Sequence, residues 1–366
     1  MLSETPCKWE NPGLLDEAMR ALPLERLYRQ AQEEADYFKA AAASFAIRPG
    51  DKPKRPAWEL QDCLIRQLMK WFRREFFTYI NVPRCSRCNG NTMPVTHPDG
   101  RGVVLVAPTE EEHALSGTKV ELYQCPRPEC GAQTRFARYT DAFVLLNMKR
   151  GRVGEWVNTF GMLCRALGSR ARWVWVLWDK TDHSWIEVYS EYRKRWIHVD
   201  PCEEKFDCPT MYAEGKSNTS PTLARCYSVT DVSSAGWGTK IRYCLAFSAD
   251  GATDVTRRYC RDPVKYAAER SRCPEDVLLH ILDEIRRMRR RNMDKDTKFR
   301  LEGEDALESR ELRHYYVTAL MSEVMKLAPP TPKTGEQRRV DDADRRKAEE
   351  RRQEGKLASS DDLGCH

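Results

Sequence analysis

No run of 18 apolar residues occurs in this sequence, so it offers no hydrophobic helix long enough to cross a bilayer. The opening segment, Met1-Leu-Ser-Glu-Thr-Pro6, lacks the basic and apolar regions of a secretory leader. The expectation is a soluble, intracellular chain without a membrane partner. Strong charge of either sign is missing as well. The 61 Lys and Arg against 55 Asp and Glu leave a net +6 spread over 366 residues, too weak to argue for nucleic acid as a partner. What is present suffices for one large folded domain or two smaller ones, because 41% hydrophobic and 10% aromatic residues can fill a sizeable core. Beyond position 328 large apolar residues nearly vanish among charges and prolines, and such a tail cannot bury enough surface to order itself. Fourteen cysteines in a reducing compartment are expected to be mostly reduced or metal-bound.

Periodicity divides the chain coarsely. Leu24, Leu27, Tyr28, Ala31, Ala35 and Phe38 recur at helical spacing, and the Pro- and Gly-containing segment 48–56 breaks the pattern as a linker. A second amphipathic helix is expected over 58–80, with Leu60, Leu64, Leu68, Trp71, Phe72 and Phe76 in its core stripe. A third covers 154–167, closed by Gly168 at the C′ position. Strands follow at 170–178, 184–189, 196–200 and 241–247, with 190–195 as a hairpin loop. Residues 205–234 read as a polar inserted loop, whose glycosylation triplet Asn218-Thr219-Ser220 carries no weight in a chain not routed to secretion. Pro274 opens another helix that ends in the basic run 286–291, which reads as a solvated helix C-terminus, and a last helix is expected over 307–326.

Two cysteine pairs, Cys85-Ser-Arg-Cys88 and Cys125-Pro-Arg-Pro-Glu-Cys130, stand 36 residues apart. Each short spacing lets two thiolates face one ion, and two such knuckles complete a tetrahedral site. The expectation is one structural zinc ion on Cys85, Cys88, Cys125 and Cys130. Four sulfurs leave no open position, so such a metal holds the fold and performs no chemistry.

A second constellation surrounds the third helix. Gly151-Arg-Val-Gly-Glu-Trp156 opens it, and Thr181-Asp-His183-Ser-Trp185 and His198-Val-Asp200-Pro-Cys202 follow on adjacent strands. A thiol nucleophile is best activated at a helix N-terminus with a histidine base nearby, and a carboxylate then fixes the imidazole tautomer. Here the base and the acid are available, but the residue at the helix start is Val153, which has no nucleophilic atom.

From Ala57 to Tyr259 the chain resembles the cytoplasmic peptide:N-glycanases of the transglutaminase-like superfamily, in a fungal-type form. The resemblance rests on Trp71-Phe72 with Phe76-Phe77, Thr134-Arg-Phe136, Arg150-Gly-Arg-Val-Gly-Glu-Trp156 running on to Gly168, and Asp182-His183 with Trp185 and Glu187. Asp200-Pro-Cys-Glu203, Gly236-Trp-Gly238 and Asp254-Val-Thr256 complete it. It implies an α+β, transglutaminase-like (papain-like) core with an antiparallel sheet, a four-cysteine zinc-binding lobe and flanking N- and C-terminal helices. It further implies that Val153 occupies the position of the nucleophilic cysteine, with His183 as base and Asp200 as orienting acid. The family cleaves the amide joining an N-glycan to asparagine, leaving aspartate, on misfolded glycoproteins.

Trp156, Trp185 and Trp237 fall at family tryptophan positions, where they line a sugar cleft or equally serve as core aromatics. Cys164 lies about 16 Å along the helix axis at 1.5 Å per residue and cannot replace the thiol; Cys202 belongs to the ordinary family motif. The stretch 213–234 is longer than the family's usual link. The expected organisation is a helical segment and linker at 1–56, a glycanase-like core at 57–270 with its zinc region at 82–136, C-terminal helices at 271–328 and a disordered tail at 329–366. The expected function is that of an inactive scaffold or binding protein in handling misfolded N-glycoproteins during endoplasmic-reticulum-associated degradation. The alternatives are a weak amidase with non-thiol chemistry and a structural protein for growth or morphology with no glycan role. A proteasome-shuttle protein with ubiquitin-like and ubiquitin-associated domains is the partner the family suggests, on residues 13–46 and 307–326. The expected location is the cytoplasm, with the nucleus left open.

Overall fold

The computed structural model describes residues 2–44, 55–100, 102–178, 183–213 and 237–327. The linker around 48–54, most of the 213–234 insertion and the tail beyond 327 lie outside them. The chain divides into two units, Met1–Ala319 and Leu320–His366, and all three described sheets with the helices that flank them up to residue 319 lie in the first. Helices α1 (Thr5–Lys8), α2 (Pro12–Ala21) and α3 (Leu24–Ser44) come first, then α4 (Leu60–Trp71). The periodic residues of α3 behave as expected where they face inward, since Leu27, Ala31, Ala35 and Phe38 are buried, while Tyr28 stays exposed. The helix expected over 58–80 is shorter: α4 passes into one π-helical turn, Phe72–Phe76, and the chain is extended by Phe77. Phe72, Phe76 and Phe77 all pack into the core there, which a straight continuation at 3.6 residues per turn would not achieve, while Leu60, expected in the stripe, is exposed at the first position of α4.

A short parallel pair joins β1 (Thr78–Tyr79) to a later strand, after which β2 (Met93–Pro94), β3 (Leu105–Val106), helix α5 (Glu110–Ala114), β4 (Gly117–Gln124) and β5 (Gln133–Tyr139) form a lobe. β4 is its centre, pairing with β2, β3 and β5. Helix α6 (Ala142–Met148) and β6 (Arg150–Gly151), the partner of β1, lead into α7 (Val153–Ala166). α7 ends as the sequence anticipates, with Gly168 at φ 78°, a conformation costly for any side chain bearing a Cβ.

The main sheet has six strands in the order β10-β9-β8-β7-β11-β12, antiparallel throughout: β7 (Ala171–Trp178), β8 (Ser184–Ser190), β9 (Arg195–Asp200), β10 (Lys205–Phe206), β11 (Ile241–Ser248) and β12 (Gly251–Asp254). One core cluster joins α7 to this sheet and to α4, through Phe160, Leu163, Leu64, Leu68, Ile186 and Val199. The N-terminal helices belong to the same core rather than standing apart. Trp9 stacks on Trp173 at 6.5 Å and donates its indole N–H to Asn158 Oδ1 at 2.8 Å, and a Cβ at Gly161 would run into its ring. Two short helices, α8 (Thr256–Tyr259) and α9 (Pro263–Tyr266), precede α10 (Glu275–Arg290) and α11 (Lys295–Leu327), which begins twelve residues before the expected start at 307.

The basic run on α10 is less solvated than its sequence suggests. Arg289 donates to the carbonyls of Ser248 and Gly251 and Arg290 to that of Asp250, so the run clasps the β11–β12 hairpin. α11 is fixed by a buried ion cluster: Arg172 and Arg258 bind Glu187, and both also bind Glu308 from the helix. No described helix is long and apolar enough to cross a membrane.

Candidate active site

The register that pairs Ile186 with Val199 brings the start of β8 beside the end of β9, and there His183 and Asp200 meet. His183 Nε2 lies 2.7 Å from Asp200 Oδ2. The other carboxylate oxygen accepts the backbone N–H groups of Cys202 at 2.9 Å and Glu203 at 3.1 Å, and Tyr212 donates its hydroxyl to Oδ2 at 2.7 Å. Burial works against a charge on Asp200, but the interactions with His183, His198 and Tyr212 outweigh it and hold its carboxyl at about 2. The carboxylate is therefore ionised and saturated with donors.

Val153 is the first residue of α7, and the cleft in front of it has a volume of about 790 Å³. Val153, His183, Tyr79, Trp237, Arg73 and Cys202 line it. The head of α7 is rigidly built. Glu155 accepts the N–H of Arg152 at 3.0 Å and is held by Arg138 at 2.5 and 2.7 Å. Arg152 in turn reaches Glu121 Oε1 at 3.0 Å and the carbonyls of Ile80 and Asn81. Glu121 and Arg138 lie on β4 and β5, so the lobe grips the helix start on both sides of Val153.

Cys202 shares this cleft, which its place in the sequence does not reveal. Burial, then Asp200 and Glu203, push its thiol well above the usual range, so it stays protonated and is a poor nucleophile. Cys164 is fully buried in α7, and burial raises its thiol too.

The three tryptophans separate. Trp237 is 40% exposed on the cleft, with its ring 4.9 Å from that of His183. Trp156 reaches the cleft only at an edge, being 3% exposed and packed edge-on against Phe72 and Phe77. Trp185 does not line it: the residue is fully buried and stacks on Tyr212 at 4.2 Å, because its position on β8 turns it into the sheet's second core cluster. Tyr79, half exposed opposite, is a cleft aromatic with no sequence signal beyond its proximity to Phe76-Phe77. His97, His113, His280 and His314 are all outside the core and lie on no site.

The four cysteines of the lobe converge. Cys85 and Cys88 precede β2, Cys125 and Cys130 sit on the β4–β5 turn, and their sulfurs all lie within 4.8 Å of one another. The Cys85–Cys130 and Cys88–Cys125 sulfur distances are 3.7 and 3.6 Å. A tetrahedral ion with ~2.3 Å bonds to sulfur requires an edge of about 3.8 Å, close to these two distances, so the four sulfurs form a donor set that could hold a metal ion.

Comparison with known proteins agrees with this geometry. Residues 107–201 match the transglutaminase-like superfamily and residues 179–313 the Rad4 transglutaminase-like domain. The chain is 44% identical over 321 residues to Protein png-1 of Neurospora crassa, covering 87% of this chain and 68% of that one. It is 38% identical to the peptide-N(4)-(N-acetyl-beta-glucosaminyl)asparagine amidase of Yarrowia lipolytica, covering 86% and 75%. It is 31% identical to the human protein of that name, of which it spans only 41%. A weaker likeness, with a TM-score of 0.42 at 14% identity over 86% of this chain and 55% of the other, is to the solved structure of Rad4-Rad23 bound to a 6-4 photoproduct UV lesion. The share of the two fungal relatives that is covered, the transglutaminase-like fold and the clustered cysteines agree: this chain belongs to the peptide-N(4)-(N-acetyl-beta-glucosaminyl)asparagine amidase family.

Proposed function

We propose that this family member does not cleave its ligand and instead acts as a binding protein for misfolded N-glycosylated polypeptide. One observation carries the proposal: the side chain at the head of α7, in the cleft with His183, is the isopropyl group of Val153. A valine has no lone pair with which to attack an amide. Loss of the nucleophile from a catalytic triad costs roughly six orders of magnitude in kcat in the best-measured case. The protonated Cys202 is no substitute. The His183–Asp200 pair and the exposed Trp237 remain, so what the cleft keeps is a shaped polar and aromatic surface suited to a sugar-bearing peptide.

In this reading the four cysteines hold one zinc ion, saturated and structural. The protein works in the cytoplasm within endoplasmic-reticulum-associated degradation, and a proteasome-shuttle protein docks on the terminal helices. Exposed Tyr28 and Tyr37 on α3 and exposed Leu307 and Val317 on α11 support such docking.

The test is incubation of a denatured N-glycoprotein with the wild type and with Val153→Cys, followed by intact mass. The wild type should leave asparagine intact. Val153→Cys should convert some of it to aspartate, because the base and the acid already have their geometry. Conversion by the wild type would overturn the proposal. Binding of a glycopeptide to the wild type, lost with removal of the glycan, is the positive counterpart; no binding would refute the retained cleft.

A further inference from the structure

Asp200 is the middle of a longer chain of buried polar groups whose hydrogen-bond directions are fixed by the donors at its ends. His198 and Asp200 lie two apart on β9, on one face of the strand. Tyr212 follows a 3-10 turn at Pro209–Met211 and is fully buried, its hydroxyl 2.7 Å from Asp200 Oδ2 and 2.7 Å from His198 Nε2. At the far end the backbone N–H of Cys208 points at His198 Nδ1 at 3.3 Å.

A backbone N–H can only donate, so His198 Nδ1 must be the bare nitrogen and Nε2 must carry the proton. Asp200 is ionised and can only accept, so Tyr212 spends its one proton on Asp200 and accepts from His198. The sequence of donors is then unique: Cys208 N–H to His198, His198 Nε2–H to Tyr212, Tyr212 O–H to Asp200. His183 enters the same carboxylate oxygen from the other side through Nε2–H, which leaves Nδ1 as its basic nitrogen when the ring is neutral. Burial lowers the His198 imidazole to about 4, in keeping with a neutral ring that can accept from Cys208.

We infer that His198 and Tyr212 are positioning residues that, through Asp200, hold the His183 ring in one tautomer and orientation. A ring that merely filled space would serve as well with any side chain of the same volume. This chain requires a group that accepts on one side and donates on the other. The inference stands whether or not the cleft binds glycan, since it concerns the wild-type protein without ligand.

The experiment is 15N imidazole spectroscopy of the full chain labelled on histidine, with resonances assigned from His183→Gln and His198→Gln. In the wild type near pH 7, His198 should be neutral with its proton on Nε2. A charged His198, or one protonated on Nδ1 alone, overturns the direction of the chain and needs no variant to show it. Tyr212→Phe and His198→Leu should move neutral His183 from a single Nε2–H tautomer to a mixture of both. His198→Gln should preserve the wild-type pattern, because its amide presents an oxygen to Cys208 and an N–H to Tyr212. An unchanged His183 signal in folded Tyr212→Phe and His198→Leu would refute the positioning role. So would an equal disturbance in His198→Gln and His198→Leu.

Discussion

Glu308 ties α11 to the main sheet through a buried ion cluster. The residue projects from α11 into a site where Arg172 is 4% and Arg258 2% exposed, and it binds both guanidinium groups, Arg258 at 2.7 Å. Glu187, fully buried beneath, binds both arginines as well, and Glu311 on the same helix reaches Arg258 at 3.1 Å. Glu308→Gln removes one partner of this buried cluster and leaves Arg172 with Glu187, which it shares with Arg258. With Glu311 retained on Arg258, the cost falls at the lower end of the roughly 3–5 kcal/mol typical of a broken buried pair, about 3 kcal/mol. A second route gives a similar size. Burial alone would raise the Glu308 carboxyl, but Arg172 and Arg258 outweigh it and bring it from 4.5 to about 2, worth about 3 kcal/mol of linked stability. Because the folded-state value is depressed, that stability is present above pH 4.5 and is lost as pH falls toward 2. The assay is urea unfolding of wild type and Glu308→Gln from pH 7 down to pH 3. A loss near 3 kcal/mol at pH 7, a Tm lower by roughly 5 °C and a gap that narrows below pH 4.5 are expected. Lys194→Ala, which breaks an exposed pair with Glu191, should change nothing measurable. A Glu308→Gln variant within about 1 kcal/mol of wild type at pH 7 would refute the reasoning.

Other perturbations separate the cleft from the scaffold. Cys85→Ser or Cys130→Ser should abolish metal binding, read as zinc per chain by elemental analysis, and lower thermal stability; full zinc content in either would rule out the four-cysteine site. Trp237→Ala should weaken glycopeptide binding by about tenfold, roughly 1.4 kcal/mol, with the fold intact by circular dichroism. Trp185→Ala should instead cost about 3–5 kcal/mol of stability, since it empties a buried stack on Tyr212. Equal effects of the two on binding at unchanged stability would contradict their placement.

Much of the fold is legible in the sequence because it rests on local patterns. The α7 stripe ends at a glycine with positive φ, the four strands from 170 to 247 alternate or run apolar, and the cysteine knuckles announce themselves by spacing. Local patterns fail where a residue's environment is made by distant chain. The basic run on α10 reads as solvated, yet its arginines reach carbonyls of the β11–β12 hairpin about 40 residues away. Trp185 and Trp237 look alike in sequence, but one is fully buried and the other is 40% exposed on the cleft. Nothing near Tyr212 in the sequence, or near Glu308, marks either as a partner of Asp200 or of Arg172.

The pairing of the four clustered cysteines, the helix that heads the cleft and the valine at its first position could all be read before any coordinates, since spacing and side-chain chemistry are properties of short segments. Folding was needed to show that Cys202 shares the cleft as a protonated thiol, that the lobe grips both sides of Val153, and that Asp200 accepts from Tyr212 as well as from His183. Those are matters of burial and distance between residues far apart in the chain, and a buried charge or hydrogen bond has no meaning until the fold has removed the water around it.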